Sequence, residues 1–418
     1  MLQQVILQRM PHKHMGKEVH QQYLHNTFRV AELPQAGAIR EGLLLGIIGR
    51  LLEVDVEIKY EDLDDLDDFG EEDDGDALFD FEDASRATPS GSSPHIGHMR
   101  PLDETADKLD GMMDIVFAHL GRRISAGDFD NTLQTLLRAL QTSLLQTYKS
   151  KFTQFLIFYV CSRDEKQSAA AGLCDVLYER LSNVAHPPIL RVAAASYMAS
   201  FLARASFLSS AFLMQRLLQL STWATAFLDR HEEAVASGSD AKQPQDVFDA
   251  VCQGVLYVLC YRMDAMADGG AAPLAQLRSL PLDRLLNHAL QPLRACAPAI
   301  AHEYSRRAKH LRLQGRSAAR AAAQLHSVDE ANAARSSRQT RPLDTFFPFD
   351  PYLLRASSAQ LDLKRSYIRC GFPLWASLVS TPLSLTRLLL PPPQVASQRC
   401  AGRGRVRKRR AQRSQRLG

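Results

Sequence analysis

Pro187–Ser209 reads PPILRVAAASYMASFLARASFLS. Leu190, Ala194, Tyr197, Met198, Phe201, Leu202, Ala205 and Leu208 recur at three- and four-residue steps, the period of one helix face. The small residues Ala193, Ala195, Ala199 and Ala203 lie beside or opposite that face, so neighbouring helices can approach from more than one side. Pro187 and Pro188 sit at the start, where a missing N–H costs nothing. Such a helix fits a stack of helices.

Outward from it the same period continues. In AIREGLLLGIIGRLLEVDVEI, Ile39, Leu43, Ile47 and Leu51 repeat every four residues beside Leu44, Ile48 and Leu52. GKEVHQQYLHNTFRVAEL precedes it, and ETADKLDGMMDIVFAHLGRRI, FDNTLQTLLRALQTSLLQTYKS and KFTQFLIFYVCS follow. Within the last, Phe152, Phe155, Leu156 and Tyr159 share a face. AAAGLCDVLYERLSN, AFLMQRLLQLSTWATAFLDRHEE and VFDAVCQGVLYVLCYRMDAM read as further helices. The stretch from Leu282 to Leu313 supplies one or two more, broken near Pro292 or Pro298. No segment alternates as a strand does. The expected fold is all-α: a HEAT-like α-solenoid of stacked helix pairs, at a degenerate spacing of roughly 40 residues.

Five segments follow from composition. Residues 1–59 hold the first helical repeats, and 101–340 the main HEAT-like array. Between them, 60–100 is an acidic and Ser/Pro/Gly-rich insertion, expected to be disordered. Residues 341–369 form a Phe/Pro-rich closing segment, and 370–418 a basic tail, also expected to be disordered. Glu61–Asp83 carries fourteen acids and no base, whereas Arg399–Arg416 carries nine bases and no acid. The net +4 is thus made by the tail, and it does not indicate a general nucleic-acid-binding surface.

Several function classes find no support. The seven cysteines are scattered without a CxxC pair, which fits structural thiols, not a disulfide framework or a zinc site. The opening residues lack a secretory signal, and no apolar stretch is long and uninterrupted enough to span a membrane. There is no GxSxG, GxxxxGK[ST], HExxH or GxGxxG. HIGH at His95–His98 matches a nucleotide-binding motif but lies in a Ser/Pro/Gly linker with no strand before it, and is read as chance. The acid run lacks the fixed spacing of a cation loop. No enzyme, cofactor, metal or small-molecule substrate is expected.

Two segments remain as candidates. In YSRRAKHLRLQGRSAAR, Arg306, Arg307, Lys309, Arg312, Arg316 and Arg320 accumulate with no acid between them. On a helix the last three share a face, which would track phosphates if it faces nucleic acid and is otherwise a solvated charged face. In RPLDTFFPFDPYLLRASS, Pro342, Pro348 and Pro351 forbid a continuous helix, and Phe346, Phe347 and Phe349 are too apolar for water. The favoured reading is a packing clamp over the last helices. The alternative is a partner-docking element that includes Asp350 and Tyr352. Thr88 and Ser93, each followed by proline, fit proline-directed phosphorylation. RVRKRR at Arg405–Arg410 reads as a nuclear-localisation or RNA-binding cluster.

Taken together, KFTQFLIFYVCS, PPILRVAAASYMASFLARASFL, FDAVCQGVLYVLCYRM and PLDTFFPFDPYLLRAS resemble, in order and spacing, the RNA polymerase I-specific transcription initiation factors. FFPFDPYLL and SFLARA are the most diagnostic, and the acidic insertion after LLEVDVEI also fits. The resemblance runs from about Tyr23 to Arg369. It implies a nuclear, nucleolar HEAT-repeat factor controlled by phosphorylation. Such a factor binds RNA polymerase I stalk subunits on one side and the promoter core factor on the other, at the ribosomal DNA promoter. A generic HEAT-like adaptor is the alternative. Against the family pattern the chain is expected to lack N-terminal helix pairs and to diverge after Arg369, where 370–418 holds no acid.

Overall fold

The computed structural model describes residues 1–58, 104–148, 150–238, 244–268, 270–310, 343 and 347–369. In chain order the helices are α1 (Leu2–Gln8), α2 (Lys17–Ala31), α3 (Gly37–Asp55), α4 (Glu104–Ser125) and α5 (Phe129–Thr142). Next come α6 (Phe155–Ser162), α7 (Ser168–Ser182), α8 (Pro188–Arg204), α9 (Ser210–Ala236) and α10 (Gln245–Ala267). The last are α11 (Ala271–Arg278), α12 (Leu282–Leu286), α13 (Pro298–His310), α14 (Arg355–Leu361) and α15 (Leu363–Ser366). Among the described residues there is no β-strand; the one isolated bridge pairs Ala205 with Tyr367, antiparallel. No helix of the described residues is long and apolar enough to cross a membrane.

Most helices pack on neighbours next to them or one further along the chain. α2 and α3 pack on α4, and α3 also on α5. Further along, α7 packs on α8, α8 on α10, α9 on α10, and α10 on α13. The α8–α10 contact is the most extensive, and its residues show why. Ala195, Ala199, Ser200 and Ala203 are all buried, so the two backbones come close. Gly254 of α10 takes this furthest: a Cβ there would lie 2.9 Å from the Ala199 Cβ. α10 is consequently buried without interruption from Val247 to Met263, as expected of a helix surrounded on all sides.

The sequence pattern misses some boundaries. The helix expected to run through Ser150 ends at Thr142, and a 3₁₀ turn at Leu144–Gln146 follows. Likewise Ala205 and Leu208 do not continue the face of α8. The chain leaves the helix at Ala205, where ψ is 99°, although both residues are buried. Apolar residues just beyond a helix end keep the helical period by being buried as loop, which period alone cannot distinguish. From Leu282 on, where one or two helices broken near Pro292 or Pro298 are expected, there are two, α12 and α13, with a 3₁₀ turn at Pro292–Arg294 between them and α13 starting at Pro298. The segments 60–100 and 370–418, Thr88, Ser93 and the HIGH tetrapeptide lie outside the described residues.

Candidate functional site

The closing segment runs into the interior of the stack. Phe349 is fully buried, with its ring edge-on to Phe155 (5.4 Å between centroids) and Tyr197 (6.0 Å) and tilted against Phe158 and Phe201. Tyr352 meets Phe155 at 4.7 Å and Phe152 at 5.6 Å. Phe347 stacks on Tyr257 of α10 at 3.7 Å with the planes 7° apart. The segment therefore joins α6, α8 and α10 through one aromatic cluster. Phe346 lies outside the described residues.

Prolines remove N–H donors and leave the remaining backbone groups in need of partners. Three of them are matched by side chains, two of these from the stack and one from the segment's own end. The Phe349 N–H donates to Ser200 Oγ at 2.9 Å, and the Tyr367 hydroxyl donates to the Phe349 carbonyl at 2.7 Å. Gln154 donates its amide N–H to the Pro348 carbonyl. Further on, Asp110 of α4 caps α14 by accepting from the N–H groups of Ala356 and Ser357, both at 2.8 Å, and from the Ser357 hydroxyl. An anionic acceptor at a helix start is the favourable sign for the helix dipole. Asp55 does the same work at the end of α3, accepting from the N–H groups of Lys151, Phe152 and Thr153 at 2.9–3.0 Å.

At the centre is a buried charge pair. Arg204, the last residue of α8, has a side chain only 1% exposed, and its guanidinium pairs with Asp350. It also donates to the Ile368 carbonyl at 2.9 Å and lies over the rings of Tyr261 (4.2 Å) and Tyr367 (5.4 Å). Tyr257 donates its hydroxyl to the other Asp350 oxygen. Burial works to strip the Arg204 proton, but the Asp350 carboxylate and the surrounding tyrosines outweigh it and hold the guanidinium charged, well above its ordinary value. Burial pushes the Tyr257 and Tyr352 hydroxyls up, so both stay neutral donors. Backbone bonds from Ile368 N–H to the Arg204 carbonyl (2.8 Å) and from Ser206 N–H to the Ser366 carbonyl (3.0 Å) complete the join.

The basic candidate is only partly described. Arg306, Arg307 and Lys309 lie on α13, while Arg312, Arg316 and Arg320 lie outside the described residues. Arg306 has a side chain 64% exposed and pairs with Glu303 at 2.6 Å. Arg307 is held between Glu303 (2.6 Å) and Asp264 of α10 (2.5 Å). Lys309 is exposed. Glu303, just before the quoted run, and Asp264 on α10 thus offset much of its charge, which a count of bases within the run does not register. The described residues contain no group of three or more His, Cys, Asp or Glu side chains placed to hold a metal ion. Cys161, Cys174, Cys252, Cys260 and Cys296 are buried free thiols.

Arg204 and Asp110 escape the sequence reading as functional positions, yet signals for them exist. Arg204 stands three residues after Phe201 and seven after Tyr197, on the apolar face of α8, where an unpaired charge is prohibitively expensive. It requires a carboxylate from elsewhere, and Asp350 sits within the most apolar part of the closing segment.

The model of the family described as RNA polymerase I specific transcription initiation factor RRN3 matches residues 1–369. The RNA polymerase I-specific transcription initiation factor RRN3 of Mus musculus is 26% identical over 378 residues, covering 86% of this chain and 57% of its own length. The Schizosaccharomyces pombe factor rrn3 is 26% identical over 379 residues, covering 84% of this chain and 61% of its own. The chain therefore spans somewhat more than half of these curated relatives. A crystal structure of RNA polymerase I transcription initiation factor Rrn3 superposes with a TM-score of 0.67 at 19% identity, covering 90% of this chain and 70% of that one, and it has the same helical fold. The aromatic clamp at 347–369 falls within the matched region, and the chain belongs to the RNA polymerase I specific transcription initiation factor RRN3 family.

Proposed function

We propose that this chain acts in transcription initiation by RNA polymerase I, as a non-enzymatic bridge between stalk subunits of the polymerase and the promoter-bound core factor. The observation that carries this reading is the family match, which extends through the closing segment to residue 369. The fold supports it. A stack of helices presents long, continuous outer surfaces, and such surfaces suit simultaneous contact with two large assemblies. The buried aromatics of the closing segment are committed to packing, so the reading assigns contact to the outer helix faces and loops. Its place of action would be the nucleus, at the nucleolar ribosomal DNA. Arg306, Lys309 and the following arginines are proposed as a minor contact to promoter DNA. Thr88 and Ser93 are proposed as phosphorylation sites that add charge beside the acidic run.

The test is affinity capture of the tagged chain from nuclear extract, with mass spectrometry of the eluate and circular dichroism of the same preparation. Recovery of RNA polymerase I subunits together with core-factor subunits is the expected result. A folded chain that recovers neither would overturn the bridging role.

A further inference from the structure

The loop between α1 and α2 reads RMPHKHMGK, Arg9–Lys17, and contains three bases, two histidines and no acid. It spans the gap between the two points where the acidic insertion leaves and re-enters the helices. Lys13 pairs with Glu57, just after α3, at 2.5 Å. Lys17 pairs with Asp107, in the first turn of α4, at 2.8 Å. Lys108 of α4 donates its ammonium to the Lys13 carbonyl at 2.8 Å. One cationic loop thus fastens both ends of the insertion.

Not all of its charge is used in that fastening. Arg9, His12 and His14 are exposed, with the two imidazoles 5.1 Å apart, and among the described residues no carboxylate pairs with Arg9. Beside the Lys13–Glu57 pair, Met15 is 47% and Val56 42% exposed. The surface is cationic with apolar points, and it has been left open.

We infer that this loop is the docking surface for the chain's own acidic run, Glu61–Asp83. Three observations favour that occupant. The first is charge: fourteen acids without a base meet a loop of bases without an acid. The second is pattern: Leu63, Leu66, Phe69, Leu78, Phe79 and Phe81 punctuate the acids, matching a basic surface with apolar points. The third is covalent reach. Glu61 is four residues beyond Glu57, so its Cα lies within about 14 Å of that residue's even in a fully extended chain. Glu61 is thus tethered within about two Debye lengths of Glu57, the partner of Lys13, at about 8 Å each in physiological salt. Tethering at both ends keeps the run at an effective concentration of about millimolar or more, so even a weak contact is occupied.

Zero-length carbodiimide cross-linking of the full chain tests this, because it joins a lysine amine only to a carboxylate in contact. Cross-links from the half-buried Lys13 or Lys17 to acids within 61–83 are expected, lost at 0.5 M salt (on the order of a 3–4 Å Debye length). Equal yields at the distant Lys166, Lys309 and Lys364 would overturn the assignment. A second measurement uses a fluorescent peptide of residues 61–83 as the probe. It should bind at least about tenfold more tightly to a full-length variant whose fourteen acids in 61–83 are changed to Asn and Gln than to the native chain. Adding Arg9→Glu, His12→Glu and His14→Glu, all exposed positions, should abolish that gain. Equal binding to native and neutralised chains would sink the proposal. So would a charge-reversed loop that still binds the peptide, or a 20-base-pair DNA duplex that binds the native loop as tightly as the neutralised one.

Discussion

Asp350→Asn removes the carboxylate that pairs with a guanidinium buried to 1% exposure. Asparagine keeps the shape and one acceptor oxygen, so little packing is lost. What changes is that Arg204 keeps its charge in the interior with no counter-charge, and Tyr257 loses its anionic acceptor. Breaking a buried pair from one side costs about 3–5 kcal/mol. The remaining bond to the Ile368 carbonyl and the faces of Tyr261 and Tyr367 soften this, which places the expected loss near 3 kcal/mol. Arg204→Met with Asp350→Leu removes both charges together, and should recover at least about 1 kcal/mol of that loss. The assay is urea unfolding followed by circular dichroism at pH 7, with the native chain, Arg204→Met, Asp350→Leu and the double variant forming a double-mutant cycle beside Asp350→Asn. A loss below about 1 kcal/mol for Asp350→Asn, or a cycle with no coupling beyond about 0.5 kcal/mol, would refute the idea that this pair latches the closing segment.

Phe349→Ala empties the centre of the aromatic cluster and should cost about 3–5 kcal/mol in the same assay, whereas the less enclosed Phe347→Ala should cost less. Gly254→Val should destabilise by about 1–3 kcal/mol, because even its Cβ meets the Ala199 Cβ at 2.9 Å and the two helices must part. Asp249 of α10 is buried, its Oδ1 has no partner among the described residues, and burial pushes its carboxyl up to about 7. The folded chain therefore holds a proton that the unfolded chain releases near pH 4, so this residue's contribution to stability is full below about pH 4 and is lost as pH rises to about 7. Asp249→Asn lacks that loss, so its stability relative to the native chain should improve between pH 4 and 7 by on the order of 2–4 kcal/mol; parallel unfolding curves at pH 5 and pH 8 would contradict this.

Most of the helices are legible because their burial is periodic. Ile39, Leu43, Ile47 and Leu51 announce α3, and the alanines of α8 announce a helix approached from more than one side; Ala195, Ala199 and Ala203 are all buried. α6 is harder. Every residue from Phe155 to Cys161 is buried, so its stripe of Phe155, Leu156 and Tyr159 is not its only apolar face. A helix enclosed on all sides carries little periodic signal. In the closing segment, prolines and phenylalanines exclude a helix and demand burial, but they do not say against what. That information sits in the partners: Ser200 and Arg204 on α8, Gln154 just before α6 and Tyr257 on α10. Ser200 and Arg204 interrupt the apolar face of α8 at positions where a polar side chain has to find a distant partner.

Those distant partners alter how the stack should behave. In a plain helical array each repeat touches only its neighbours, and stability is a sum of local terms that can fail piece by piece. Here Asp350 reaches back 146 residues to Arg204, and Ser357 reaches back 247 residues to Asp110. The 347–369 segment thus links α4, α6, α8 and α10 in one set of contacts, and none of these helices can move independently without breaking a charged or hydrogen-bonded join. The cost is kinetic, because contacts across such separations form only after the intervening helices are in place. The gain is rigidity: the helices joined by the segment keep a fixed distance and angle, and so do the helices packed around them. The bridging role proposed above would call for that property more than for any single contact residue. Variants that weaken the latch should therefore impair simultaneous binding of two partners before they impair binding of either alone.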